Sequence, residues 1–302
     1  MMQTKYALNL DPKFNPTEGH ELAHKQLDFK GGEPHFQIID ESVSTDLGLI
    51  ITQRYNNVRD LIMVVLANDA AKRMGFKNIE LIMPYFPAAR QDRVCNEGEP
   101  LTIKIFADMI NGCAFDKVSI YRPHSEVTPA LLDNCVQLEL DNDFVSEIIL
   151  DAVNPYITWN IACPDAGAGK RVAGIVKHLT NSMPHRNFNL IRCEKVRDVK
   201  DGSLKEFHVQ ADDLNGYPTL IVDDINSMGG TFLGLGGVLR FKNCGPLMLF
   251  TSHSDCRQGI ERVCEFFDRV YTSNSRKDWD THNFPGVSRF KCFDITVKNM
   301  TV

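Results

Sequence analysis

Apolar runs of strand length alternate with stretches that are apolar at helical spacing along almost the whole chain, and this alternation admits few architectures. Repeated strand and helix segments build a parallel sheet flanked by helices. The spacing predicts strands at His35–Asp40, Leu49–Gln53, Ile79–Pro84 and Lys117–Tyr121, and helices at Val58–Met74, Leu101–Asn111 and Phe144–Val153. Gly75 stops the first helix and Pro100 precedes the second. A second run places strands at Ile157–Cys163, Phe188–Arg192, Phe207–Gln210, Thr219–Val222, Leu247–Thr251 and Arg269–Thr272, with helices at Ala168–Leu179, Thr231–Phe241 and Gln258–Phe267. The expected fold is α/β, with two domains, 1–150 and 151–302, each a mostly parallel sheet flanked by helices.

One stretch carries a chemical signal, TLIVDDINSMGGT at Thr219–Thr231. A buried parallel strand ends at the carboxyl edge of its sheet, where α/β proteins bind ligands, and Asp223 and Asp224 are expected at that edge. Carboxylates accept hydrogen bonds, so the pair suits the vicinal hydroxyls of a ribose or a Mg²⁺ ion. Gly229, Gly230 and Thr231 then form a turn whose backbone N–H groups point at an anion above the next helix. The order reads as a sugar-phosphate site.

Composition narrows the class. The 302 residues, 43% of them hydrophobic, suffice for two buried cores. A formal charge of -6, with no basic stripe interleaved with aromatics, argues against a nucleic-acid surface. Any grip on ATP has to come from local basic clusters and Mg²⁺. The nine cysteines form no CxxC pair and several lie in apolar runs, which fits a reduced cytoplasmic compartment. The opening MMQTKYALNLDPKF lacks a signal-peptide layout, and no apolar run reaches membrane-spanning length.

The segment 85–108, YFPAARQDRVCNEGEPLTIKIFAD, sets Arg90, Asp92 and Arg93 on a loop between strand and helix. Two neighbouring arginines can hold a polyphosphate through bidentate hydrogen bonds. Here a resemblance becomes specific. ARQDR followed by GEPLTIKIFADMIN resembles the ATP-binding region of ribose-phosphate pyrophosphokinases, the phosphoribosyl pyrophosphate synthetases. PDAGAGKR at 164–171 resembles the family's PDxGG segment, Lys195-Val196-Arg197 its catalytic KxR, and VDDINSMGGT at 222–231 its ribose-phosphate loop. The ordered motifs span Phe29 to Ser275.

The resemblance implies two phosphoribosyltransferase-like domains and a Mg²⁺-dependent transfer of the β,γ-diphosphoryl group of ATP to the anomeric hydroxyl of a ribose 5-phosphate, releasing AMP. It implies catalytic roles for Lys195 and Arg197, at the start of a polar loop, Asp198–Lys205, that closes over the reacting phosphates. Arg90, Gln91, Asp92 and Arg93 bind ATP, while Phe29 and Glu33 stack on and hydrogen-bond the adenine bound by a neighbouring subunit. His124 and Asp165 match Mg²⁺ positions. Asp223, Asp224, Ser227, Met228, Gly229, Gly230 and Thr231 form the sugar-phosphate pocket. A homo-oligomer built from dimers, with a hexamer as one form of it, follows from the shared adenine site that the resemblance implies. Read without the resemblance, Phe29 fits a core position equally well, and Asp165 also suits a helix cap.

Four departures stand out. Gly31 replaces an aspartate between Phe29 and Glu33, and Arg122-Pro123-His124 replaces Asp-Leu-His. Ser227 and Met228 replace an aspartate and a threonine in the ribose-phosphate loop, and a thioether donates nothing to a phosphate. Either the loop binds ribose 5-phosphate through its backbone alone, or the acceptor carries a substituted 5-phosphate, with ADP-ribose, leading to NAD synthesis, the foremost candidate. A phosphoribosyltransferase and a non-catalytic regulatory subunit are the rival functions. The final CFDITVKNMTV lacks the family's serine-containing tail motif, so its regulation by phosphate and ADP is not carried over.

Overall fold

Val58–Met74 shows how closely local chemistry fixes an element in this chain. Asn57 caps the helix by accepting from the Arg59 N–H while Asp60 accepts from the Asn57 N–H, and Gly75 ends it in the left-handed conformation, φ 104°. A computed structural model describes residues 5–41, 43–152, 158–197, 204–279 and 286–296, the side chains of 196, 197 and 204–206 excepted. The chain divides into two compact units, Met1–Glu139 with Ser275–Lys277 and Ile295–Val302, and Leu140–Asn274 with Asp278–Asp294.

The first unit holds a six-stranded sheet in the order His20–Glu21, Tyr6–Asn9, Leu49–Thr52, Ile79–Ile82, Lys117–Tyr121, Cys135–Leu138, with every pair parallel. Leu49, Ile51, Ile79, Leu81, Val118 and Ile120 are buried against Leu61, Val64, Ile103 and Ala107 of the helices Val58–Met74 and Thr102–Asn111. The strand expected at His35–Asp40 forms as Pro34–Ile38, but it pairs antiparallel with His24–Asp28 in a separate two-stranded sheet. Its turn, with Gly32 at φ 87°, returns the chain at once, whereas a parallel pairing needs a crossover of a dozen residues or so.

The second unit holds a seven-stranded sheet in the order Leu204–Val209, Asn187–Arg197, Thr158–Cys163, Thr219–Asn226, Leu247–Ser254, Arg269–Ser273, Phe290–Phe293. All its pairs are parallel except the first, where Asn187–Arg197 runs on as a ribbon antiparallel to Leu204–Val209. Helix Asp141–Asp151 belongs to this unit, and Phe144 stacks on Phe293 with ring centroids 4.8 Å apart. One face of the sheet buries Ile221 and Leu249 against Phe232, Leu235 and Leu239 of Gly230–Phe241 and Ile260 and Val263 of Arg257–Phe266. Strand order reverses direction between Thr158–Cys163 and Thr219–Asn226, which opens a crevice at their carboxyl ends. Ile221 holds the crevice strand to its helices. Ile221→Ala should cost about 2–5 kcal/mol by denaturant unfolding, because the packed layer cannot close over the cavity.

Candidate active site

The crevice is made by strands of unequal length. Thr219–Asn226 pairs with Thr158–Cys163 only as far as Ile221, but with Leu247–Ser254 through Asn226. Asp223 and Asp224 therefore sit inside a strand and not beyond its end, on the stretch where one neighbour has turned away. Both are buried, at 9% and 5% exposure. Burial, the adjacent Asp224 carboxylate and Asp165 together push the Asp223 carboxyl up to about 8, against a hydrogen bond from the Asp224 N–H at 2.9 Å.

The turn after Thr158–Cys163 brings in Asp165. It caps helix Ala166–Ser182, with Oδ1 accepting from the Ala168 N–H at 3.1 Å, and its Oδ2 accepts from Lys195 Nζ at 2.7 Å. Burial pushes its carboxyl up, but the Lys195 hydrogen bond and charge, with the Ala168 N–H, outweigh burial and hold it below the usual range. Asp165 is thus both a helix cap and an ion-pair partner. Lys195 lies on the antiparallel part of its strand, opposite Phe207, with its side chain 17% exposed. Arg197 ends the same strand, and its side chain lies outside the described residues, as does most of the expected loop Asp198–Lys205.

Beyond Asn226 the chain turns into helix Gly230–Phe241, whose first N–H groups are capped by no described side chain. Gly229 has φ 75°, and a Cβ there would lie 2.7 Å from Val263 Cγ1, so both conformation and space demand glycine. Thr231 is half-buried on the first turn, while Gly230 is exposed. The segment after Leu247–Ser254 holds this loop. The Asp255 N–H donates to Asn226 O at 3.1 Å, Ser227 Oγ donates to Asp255 Oδ2 at 2.6 Å, Cys256 Sγ donates to Ser227 O at 3.1 Å, and Arg262 Nη1 donates to Met228 O at 2.8 Å. Gly259 packs so closely that an added Cβ would lie 1.5 Å from Ser227 O. Met228 is 44% exposed.

The first unit carries the other expected residues. Phe29 opens the hairpin turn at 53% exposure, near His35 with ring centroids 5.5 Å apart, which removes the core reading; Glu33 closes that turn and is exposed. Arg90, Gln91 and Arg93 are exposed on the loop between Ile79–Ile82 and Thr102–Asn111, and Asp92 lies 3.9 Å from Arg93. Glu99 folds that loop, accepting from the Cys95 and Asn96 N–H groups and the Asn96 amide, bonds that lower its carboxyl from the usual value. His124 is exposed, two residues beyond Arg122, which has φ 47°, and three beyond the strand Lys117–Tyr121. Among the described residues no three His, Cys, Asp or Glu side chains form a metal cage. Mg²⁺ typically takes one or two carboxylates, with water and substrate phosphates supplying the rest, so the single ionised carboxylate of Asp165 suits it.

Residues 18–113 match the model of the N-terminal domain of ribose phosphate pyrophosphokinase. Ribose-phosphate pyrophosphokinase 3 of Saccharomyces cerevisiae is 30% identical over 249 residues, covering 81% of this chain and 74% of its own. The chain belongs to the ribose-phosphate pyrophosphokinase family. Ribose-phosphate pyrophosphokinase of Pyrococcus abyssi is 26% identical over 253 residues, 82% of each chain. The same fold occurs in the crystal structure of phosphoribosylpyrophosphate synthetase from Mycobacterium smegmatis, with TM-score 0.75, 19% identity, and 97% and 94% of the two chains covered. Such identities mark a divergent member of the family, and the chain is a diphosphotransferase. Asp255, Cys256, Gly259 and Arg262 were absent from the sequence-based site, because nothing between residues 227 and 255 signals that the two turns meet.

The Asp223 carboxyl keeps its proton in the folded state between its ordinary 3.8 and about 8, a range in which the unfolded chain has lost it. Stability of the ligand-free protein therefore falls as pH rises through that window. Asp223→Asn should melt above the parent at pH 8 by differential scanning fluorimetry, with the gap closing toward pH 4. A gap independent of pH would refute the assignment.

Proposed function

We propose that the chain transfers the β,γ-diphosphoryl group of ATP to the anomeric hydroxyl of a ribose 5-phosphate-type acceptor and releases AMP. The acceptor oxygen bonds to the β-phosphorus as the bond between that phosphorus and the oxygen bridging it to the α-phosphate breaks; AMP departs and the hydroxyl proton is lost. The observation that carries this reading is the Lys195 to Asp165 ion pair beside Asp223 and Asp224, in the second unit's crevice.

Asp223 and Asp224 accept hydrogen bonds from the vicinal hydroxyls of the sugar, and the N–H groups from Gly230 to Phe232 with the Thr231 hydroxyl receive its 5-phosphate. Lys195, held by Asp165, supplies positive charge to the phosphoryl oxygens as the transition state forms, and Arg197 is assigned the same role. In the first unit Arg90, Gln91, Asp92 and Arg93 are assigned to ATP, and Phe29 and Glu33 to the adenine held by a second copy of the chain. The 53% exposure of Phe29 supports that assignment and, with it, a homo-oligomer built from dimers. Mg²⁺, for which Asp165 and His124 are the family-matched positions, would neutralise the charge of the ATP phosphates. A cytoplasmic setting agrees with nine free cysteines and, among the described residues, no helix long and apolar enough to cross a membrane.

Two acceptors fit. Ribose 5-phosphate would give phosphoribosyl pyrophosphate. ADP-ribose, which keeps the anomeric hydroxyl and the vicinal diol, would give ADP-ribose pyrophosphate, an intermediate suited to NAD synthesis. Met228, exposed where a threonine hydroxyl is expected, favours the second. Incubation with Mg·ATP and each sugar, followed by AMP release, separates them, and turnover of ribose 5-phosphate alone would reject the substituted acceptor. Lys195→Ala and Arg197→Ala should each lower the rate about 10²–10³-fold, the usual cost of a lost electrostatic stabiliser, in variants that thermal melting shows to be folded at the assay temperature, with Lys195→Ala melting lower because Asp165 loses its partner. Undiminished AMP release in both would remove the catalytic assignment.

A further inference from the structure

We propose that Asp255 is a positioning residue which, through Ser227, sets the acceptor pocket against a dianionic phosphate monoester and in favour of an acceptor whose 5-phosphate is substituted. The inference rests on the pyrophosphokinase reading above. Asp255 follows the strand Leu247–Ser254, and its carboxylate receives the Ser227 hydroxyl at 2.6 Å. A serine has one hydroxyl proton, so this bond commits it, and the face Ser227 offers a ligand is an acceptor oxygen. A phosphate monoester dianion also carries only acceptors. The Ser227 hydroxyl has no second proton to give it, Met228 has no donor in its side chain, and the Asp255 charge stands one hydrogen bond behind the loop. A phosphate bearing a substituent has one charge fewer, and hydroxyl groups on the substituent can donate to Ser227 Oγ.

The loop is braced in this state. Cys256 holds Ser227 O, Arg262 holds Met228 O, and Gly259 fills the space beneath, so the loop backbone is held in place while the bond to Asp255 orients the Ser227 hydroxyl. The surroundings are polar and incompletely paired. Asn226 is 1% exposed with neither side-chain polar atom bonded, and Asp255 Oδ1 is buried without a partner. Buried polar atoms seldom lack partners, and the three on Asn226 and Asp255 leave unused hydrogen-bonding capacity beside the Ser227 tether.

The test compares the full-length enzyme with Asp255→Asn, whose amide oxygen still accepts from Ser227 but carries no charge, and with Ser227→Ala. Initial rates of AMP release are measured with Mg·ATP and either ribose 5-phosphate or ADP-ribose, after each variant's melting temperature is checked. The parent should prefer ADP-ribose. In Asp255→Asn the ratio of kcat/KM for ADP-ribose to that for ribose 5-phosphate should fall about tenfold or more, the scale of one screened unit charge, through a lower KM for ribose 5-phosphate. In Ser227→Ala the ratio should fall through a weaker ADP-ribose reaction, and this variant decides if Asp255→Asn does not fold. A purely structural role would change both acceptors alike. An unchanged ratio in the folded variants, or a parent that prefers ribose 5-phosphate, overturns the inference while leaving the pyrophosphokinase reading intact. A parent that releases no AMP with either sugar overturns that reading and this inference together.

Discussion

Three carboxylates, those of Asp165, Asp223 and Asp224, repel one another at the carboxyl ends of two parallel strands, and the second unit is organised around containing that repulsion. Lys195 draws one of them down, while burial and its neighbours push another up, so the cluster divides into an ionised acid and a proton-holding acid. On the proposed reading a sugar diol or a cation relieves that repulsion, so the acids that would recognise the ligand are also those that cost the ligand-free fold stability.

Lys195 and the proposed phosphate cradle share one mounting. Lys195 lies opposite Phe207 in the antiparallel ribbon, and the Phe207 ring packs so closely on Gly234 that a Cβ there would meet Cε2 at 2.9 Å. Gly234 belongs to Gly230–Phe241, whose N-terminus is the proposed phosphate cradle. A shift of the ribbon therefore strains the helix, and packing limits how far the ribbon that carries Lys195 can move from it.

What the sequence revealed depended on whether the determinant was local. Val58–Met74 was legible to its end residues because Asn57 and Gly75 are signals within the chain. Thr219–Asn226 looked four residues shorter, since Asp223 and Asp224 are poor strand formers and only the ladder to Leu247–Ser254 extends it. The hairpin at His24–Asp28 was hidden for the opposite reason, its polar residues giving no apolar run to read. Asp165 and Lys195 were legible as motif positions, but their bond across 30 residues was not. The exposure of Phe29 likewise depended on tertiary context, because a phenylalanine beside a turn reads equally well as core.

On the proposed reading, the division between strand and loop separates the groups assigned to the reaction from those assigned to acceptor choice. Asp223 and Asp224 are fixed by backbone pairing on the ladder, which continues to Asn226 opposite Ser254. Altering them would remove the acceptors assigned to the sugar hydroxyls. Ser227 and Met228 lie just past the last rung, where backbone conformation depends on side chains and glycines from a second turn. Substitutions there redirect hydrogen-bond donors without breaking the ladder, provided the second turn supplies the new partner. Asp255 meets that condition. The carboxylate missing at 227 is present one hydrogen bond away, where it governs what the loop accepts instead of meeting the substrate itself.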